Sequence, residues 1–159
     1  METAWRAGRK PARGGLSNLI CIAEPLHVLA GELTAAADRI TIILPWGSLL
    51  RAVATPELDS LREIAHLCLP GASVEIVLSY DERDTKQGVL AHPGTLNDAH
   101  IANLTGFYEQ AGLLMVAAER LPQRELAGYQ TTWSRRLAFG QDREVWCLRT
   151  RRAGCEMIG

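Results

Sequence analysis

Arg39-Ile40-Thr41-Ile42-Ile43-Leu44-Pro45-Trp46-Gly47-Ser48-Leu49-Leu50 is the stretch on which the reading of the fold turns. Ile40, Ile42, Ile43 and Leu44 make an apolar, β-branched run too short for a helix, which predicts a strand buried on both faces. Pro45 ends it, because a proline has no N–H to give to a ladder. Trp46 and Gly47 fall at the strand's carboxyl end, and Ser48 to Val53 has the spacing of a helix start. In an open parallel sheet, ligands bind at that end of the strands. A second tryptophan, Trp133, lies far along the chain among arginines, in Thr131-Thr132-Trp133-Ser134-Arg135-Arg136. Two tryptophans at one mouth would clamp a planar base.

The chain has 159 residues, 47% of them hydrophobic, enough for one domain with a real core. Its formal net charge of −1 gives no global attraction to nucleic acid, but the charge is unevenly spread. Met1 to Arg13 carries Arg6, Arg9, Lys10 and Arg13 against Glu2 alone. Arg135 to Arg152 carries six arginines against Asp142 and Glu144. Two basic ends around an acidic middle form one basic face if the fold brings them together. The amino-terminal cluster alone reads by default as a solvated helix end. Cys21, Cys68, Cys147 and Cys155 show no metal-ligand spacing and read as buried free thiols of a reducing compartment. No apolar stretch is long enough to span a bilayer, and the amino terminus lacks a signal peptide's apolar core. The expectation is a soluble cytoplasmic protein.

Outward from the central stretch, Leu16–Ile22 reads as a strand and Glu32–Asp38 as a short helix or loop. Thr55 caps a helix with Pro56 in its first turn. Leu58, Leu61, Ile64, Ala65 and Cys68 line one face of that helix, and Pro70-Gly71 ends it. Ser73–Leu78 is another strand. Asp81–Asn97 is the longest irregular region, with His92 and His100 near it as ordinary surface histidines. Asp98–Ala111 returns to helix and stops at Gly112. Leu113–Ala118 is a strand, Pro122–Gly128 a short helix and Thr131–Phe139 a helical turn or two. In Arg143–Arg151, Val145 and Cys147 point to one face and Trp146 and Leu148 to the other, as in a strand buried on both sides. Alternating strands and helices with a late strand pair predict an α/β sheet whose last members are antiparallel. Trp5 and Trp146 read as packing residues.

Three blocks carry a resemblance to a known family: Lys10-Pro11-Ala12-Arg13-Gly14-Gly15-Leu16-Ser17-Asn18, Leu44-Pro45-Trp46-Gly47-Ser48-Leu49-Leu50, and Trp133-Ser134-Arg135-Arg136-Leu137-Ala138-Phe139-Gly140. In order and spacing they resemble the aminoglycoside-resistance 16S rRNA methyltransferases of the kanamycin-apramycin type. Those enzymes methylate N1 of an adenine in the ribosomal decoding site. The resemblance implies a class I, Rossmann-like methyltransferase using S-adenosylmethionine, acting as a monomer on 16S rRNA in the 30S subunit, with no metal. It implies that Trp46 and Trp133 hold the extruded adenine, that Ser48 and Thr131 lie beside the methyl donor, and that Ala23 and Glu24 lie near the donor's adenine. Arg9, Lys10 and Arg13 match a basic segment that grips rRNA, and Arg136 and Arg143 match arginines beside the second tryptophan. Read without the family, Ser48 and Thr131 are simply helix caps, and Trp46 alone is more often a core or sheet-edge residue than a base clamp.

The same resemblance implies a single domain over residues 1–159 that corresponds to the carboxyl-terminal two-thirds of such an enzyme. The family's strands run third, second, first, fourth, fifth, seventh, sixth, with Leu16–Ile22 as the third and Ile40–Leu44 as the fourth. The Gly-rich turn and the acidic residue that hold the cofactor belong to the first two, and none of Gly14, Gly15, Gly47 or Gly71 sits in a strand-Gly-x-Gly-helix context. Three expectations follow. The fourth strand has an unpaired edge, the third must re-pair or float free, and the chain binds S-adenosylmethionine poorly. A second reading is then a truncated, non-catalytic RNA-binding remnant. Gln141 stands where the family tends to have arginine, which weakens one rRNA contact.

Overall fold

The computed structural model describes residues 17–80, 96–129, 131–139 and 143–154, with the backbone alone at Thr132 and Trp133. Arg9, Lys10, Arg13, Trp5, His92, Gln141, Cys155 and most of the Asp81–Asn97 loop lie outside these residues. The order is α1 (Leu26–Glu32), β1 (Ala37–Ile43), α2 (Gly47–Ala54), α3 (Leu58–Leu67), β2 (Cys68–Leu78) and α4 (Asp98–Gln110). There follow β3 (Leu113–Arg120), a 3-10 segment (Gln123–Tyr129), α5 (Thr132–Ala138) and β4 (Trp146–Arg152). Among the described residues the sheet has the order β1-β2-β4-β3. β1 and β2 are parallel, and β4 runs antiparallel to both β2 and β3. This is the expected fourth-fifth-seventh-sixth half of the doubly wound fold, with the late pair antiparallel as predicted.

β2 is the true centre. Val74, Ile76 and Leu78 point to one face and Val77 to the other, all essentially without exposure. The first face carries the main core, in which Leu61, Ile64 and Ala65 of α3 and Ile101, Leu104 and Tyr108 of α4 cover Ile42, Val74, Ile76, Trp146 and Leu148. The predicted stripe on α3 is the one buried, and β4 divides its side chains as its alternation demands, with Trp146 and Leu148 on this face and Val145 and Cys147 on the other. Trp146 is 3% exposed, a packing residue as expected.

Several expectations are corrected. Leu16–Ile22 is not a strand: its described part, 17–22, is turn and irregular chain, exposed throughout. A strand exists by pairing, and among the described residues no strand pairs with it. For the same reason β1 is not buried on both faces. It is an edge strand in which Arg39 and Thr41 are exposed and only Ile42 is buried. The helix before it lies earlier than predicted, at Leu26–Glu32. α3 ends at Leu67, before Pro70-Gly71, and that pair falls inside β2 where the register to β1 slips. The residue before a proline disfavours helical backbone, which moves the stop upstream.

Thr55 does not cap α3. Its Oγ1 donates to the Arg51 carbonyl at 2.7 Å and so closes α2 instead. The other late carbonyls of α2 are taken by α4: the Tyr108 hydroxyl donates to Val53 O at 2.7 Å, and His100 Nε2 lies 2.9 Å from Ala54 O. These are the acceptors a helix end leaves unpaired. His100 is therefore a half-buried connector packed edge-on against Tyr80, not a plain surface histidine. Cys68 and Cys147 are buried free thiols whose pKa values burial pushes up, whereas Cys21 is exposed. Among the described residues, no helix is long and apolar enough to cross a membrane.

Candidate functional site

The carboxyl ends of β1 and β2, the start of β4 and the end of β3 meet at one rim of the sheet. The Leu44 N–H still pairs with Val77 O at 2.9 Å, and there the ladder stops. Leu44 then adopts φ +49°, left-handed backbone that a branched side chain adopts only at a cost of about 1–3 kcal/mol. Pro45 is buried behind it, Trp46 is extended, and Gly47 turns left-handed again at φ +61° to enter α2. The outcome is a tight hook that holds Trp46 outward, 56% exposed.

Trp46 occupies the N-cap position of α2, with no side-chain cap bond. Small polar side chains and glycine are favoured there because they can accept from the first turn or leave it open to water. An indole does neither, and this one is not in the core. Its position serves no local structural need. Ser48, one residue inside the helix, is exposed and is not the cap either. α2 itself is fixed at its other end by Tyr108 and His100, so α4 anchors the helix whose opposite end bears Trp46.

The second tryptophan segment is built differently. Thr131 caps α5: its Oγ1 accepts from the Ser134 N–H at 2.9 Å, and Ser134 Oγ accepts from the Thr131 N–H at 3.0 Å. This reciprocal capping box, with Ser134 fully buried, brackets Thr132 and Trp133. Of the two readings of Thr131, the cap is present. The side chain of Trp133 lies outside the described residues. What the structure does bring together are the segments that carry the two tryptophans. Leu44, two residues before Trp46, and Leu137 and Ala138, just after Trp133, pack around one small cluster of Val77, Leu126, Val145 and Cys147.

Arg135 and Arg136 are exposed on α5, and Arg143 is half-buried where the chain enters β4. Its N–H donates to Gln123 Oε1 at 3.1 Å. Tyr129 lies beside the cluster with its hydroxyl bonded to Cys147 and Glu75. Burial, then the Cys147 and Glu75 neighbours, push its pKa up to about 12, so it stays a neutral donor. Ala23 and Glu24 are exposed just before α1, which packs chiefly on α3. At the end of β2, the Ser79 and Tyr80 hydroxyls lack a hydrogen-bond partner. Sequence reasoning missed the left-handed Leu44, the Gln123 contact and the Ser134 half of the capping box. Only the last had a signal, the Thr131-x-x-Ser134 spacing.

A family model described as NpmA, 16S rRNA (adenine(1408)-N(1))-methyltransferase, matches residues 1–152. The chain is 36% identical over 142 residues to the 16S rRNA (adenine(1408)-N(1))-methyltransferase of Streptoalloteichus tenebrarius, covering 87% of this chain and 64% of that protein. A protein of Saccharopolyspora hirsuta named rRNA methyltransferase is 31% identical, covering 89% of this chain and 90% of its own length. Among solved structures, a mutant 16S rRNA (adenine(1408)-N(1))-methyltransferase from Catenulisporales acidiphilia with cosubstrate SAM aligns with a TM-score of 0.80 at 28% identity. It covers 98% of this chain and 70% of that one. The chain thus spans about 64% of the length of the first of these relatives.

Proposed function

This chain belongs to the 16S rRNA (adenine(1408)-N(1))-methyltransferase family, and from that premise we propose that it docks on the 30S ribosomal subunit in the cytoplasm and carries the base-holding side of an adenine-N1 methyl transfer that gives aminoglycoside resistance. One observation supports this most. The hook at Leu44–Gly47 exposes Trp46 at the sheet's rim, and the capped helix bearing Trp133 is packed against the same cluster as that hook.

In this reading the target adenine leaves its stack and lies against the indole faces of Trp46 and Trp133. Stacking offsets the lost base-base contact by about 1–3 kcal/mol per base. The faces of the rings also favour the positive charge that N1 alkylation leaves on the purine. Arg136 and Arg143, with Arg9, Lys10 and Arg13, bind phosphates and set the register on a folded RNA surface. No general base is required, because adenine N1 already carries a free lone pair. When bound, S-adenosylmethionine supplies the electrophilic methyl group. The residues of this chain fit that cofactor in part: Ser48 and Thr131 would lie beside the methyl donor and Ala23 and Glu24 near its adenine, but the sequence contains no strand-Gly-x-Gly-helix turn for the methionine and ribose.

The competing reading is a non-catalytic protein that binds the 30S particle. Incubating the purified protein with 30S subunits and radiolabelled S-adenosylmethionine, then mapping reverse-transcriptase stops on 16S rRNA, separates the two. A stop at a decoding-site adenine is the expected result for the enzyme. Salt-dependent 30S binding with no label transferred identifies the binding protein, and a folded protein that does neither overturns both readings.

A further inference from the structure

One side chain links the end of α5 to the approach to β4. Gln123, half-buried in the 3-10 segment, donates from Nε2 to the Leu137 carbonyl and accepts at Oε1 from the Arg143 N–H. One planar amide thereby ties Leu137, in the last turn of α5, to Arg143, three residues before β4. Between those ends, Phe139 closes α5 as its C-cap residue and is 83% exposed. A single exposed apolar side chain is unremarkable by itself. Here the ring stands two residues after Leu137, whose carbonyl Gln123 holds, with Arg135 and Arg136 exposed on the preceding helical turn. The half-buried Leu137 and Ala138 beneath it pack inward onto the cluster rather than extending an apolar patch outward.

An exposed aromatic ring that follows two exposed arginines on one helix end matches the chemistry of an unpaired nucleobase, whose ring stacks while its phosphates pair with arginine. We propose that Phe139 is a second base-stacking contact for RNA, separate from the indole pair, and that Gln123 is the residue that positions it. The inference rests on the reading that this chain docks on 16S rRNA. It adds a nucleotide outside the methylated adenine, held by stacking and therefore with little sequence preference.

The test is 30S binding by the full chain, measured by sedimentation over a range of salt concentrations. Phe139→Ala weakens binding about tenfold at every salt concentration, the order expected for one lost base-aromatic stack. The slope of log K against log salt is unchanged, because no phosphate contact is removed. Phe139→Tyr binds within about twofold of the parent, since its ring still stacks. Gln123→Leu, which keeps the volume and removes both bonds, reproduces the loss. Gln123→Glu recovers binding relative to the parent as pH falls, because only a protonated carboxyl can donate to Leu137 O. The thermal midpoint of Phe139→Ala is that of the parent, since the ring is in solvent.

Parent-like binding by Phe139→Ala overturns the inference and leaves the docking reading intact. An effect seen on 30S particles but absent on protein-free 16S rRNA assigns Phe139 to a ribosomal protein and also overturns it. Failure of the parent chain to bind at all removes the docking reading and the inference together.

Discussion

On one face of the sheet, Leu61, Ile64, Leu104 and Tyr108 of α3 and α4 are packed with almost no exposure, and the carboxyl end of α2 is satisfied by side chains of α4. On the other face, the described residues cover only the rim, with Leu126, Tyr129, Leu137 and Ala138 over Val77, Val145 and Cys147. Away from the rim, Thr41 and Arg151 of the same strands are in solvent, and Arg149 pairs with Glu75 at 3.7 Å and Glu119 at 2.9 Å on the open sheet. The difference separates two roles within 159 residues. The helix-covered face carries the stability of the domain. The rim of the second face presents aromatic and cationic groups on short, locally tied segments whose loss costs the fold little.

The largest expected effect breaks the first face. Leu61→Ala, at a site with no exposure, should cost about 2–5 kcal/mol of unfolding free energy. Denaturant titration checks it, and a cost below about 1 kcal/mol, too small for such a cavity, would show that this face is not the one holding the domain together. The next sharpens the contrast between tryptophans. Trp46→Ala should leave stability within about 0.5 kcal/mol of the parent, as exposed substitutions do. It should also lower methyl transfer or 30S affinity by roughly 5- to 150-fold, the range for one stacked base. Trp146→Ala, buried on the first face, should do the opposite and destabilise by about 3–5 kcal/mol. Equal destabilisation by the two substitutions would erase the distinction.

The smallest effect is on pH. In the folded protein the Tyr129 pKa rises from the ordinary 10.0 to about 12, so the neutral phenol is favoured over the unfolded chain. Its contribution to stability is complete below pH 10 and declines as pH rises towards 12. The buried Cys68 and Cys147 thiols, also raised, act in the same direction from about pH 9 upwards. Unfolding midpoints across pH 8 to 11 should fall in the parent and fall less steeply in Tyr129→Phe. A parent midpoint that rises over that interval contradicts the assignment.

The main elements were legible in the chain because their patterns are local. The run at 40–44 and the alternation at 145–148 each state a strand, and Leu58-Leu61-Ile64-Ala65 states a buried helical face. The three motif blocks stated the family. Two of the errors share a cause: each concerns a neighbour far away in sequence. Leu16–Ile22 has a strand's composition but, among the described residues, no strand pairs with it, and Ile40–Ile43 reads as central although β1 is an edge of the described sheet. Whether Thr55 serves the helix before it or after it depends on backbone geometry that composition does not encode.

By itself, then, the order of residues determined the type of most elements and the antiparallel end of the sheet, and it left Trp46 open between a base clamp and a core or sheet-edge residue. Only the tertiary structure decided which strand is an edge, which carbonyls of α2 are answered by α4, and that Leu44 and Leu137 share one cluster. Periodicity is written within a few residues of chain, whereas pairing and capping across the fold depend on contacts between segments 46 to 93 positions apart, as from His100 to Ala54 and from Leu137 to Leu44.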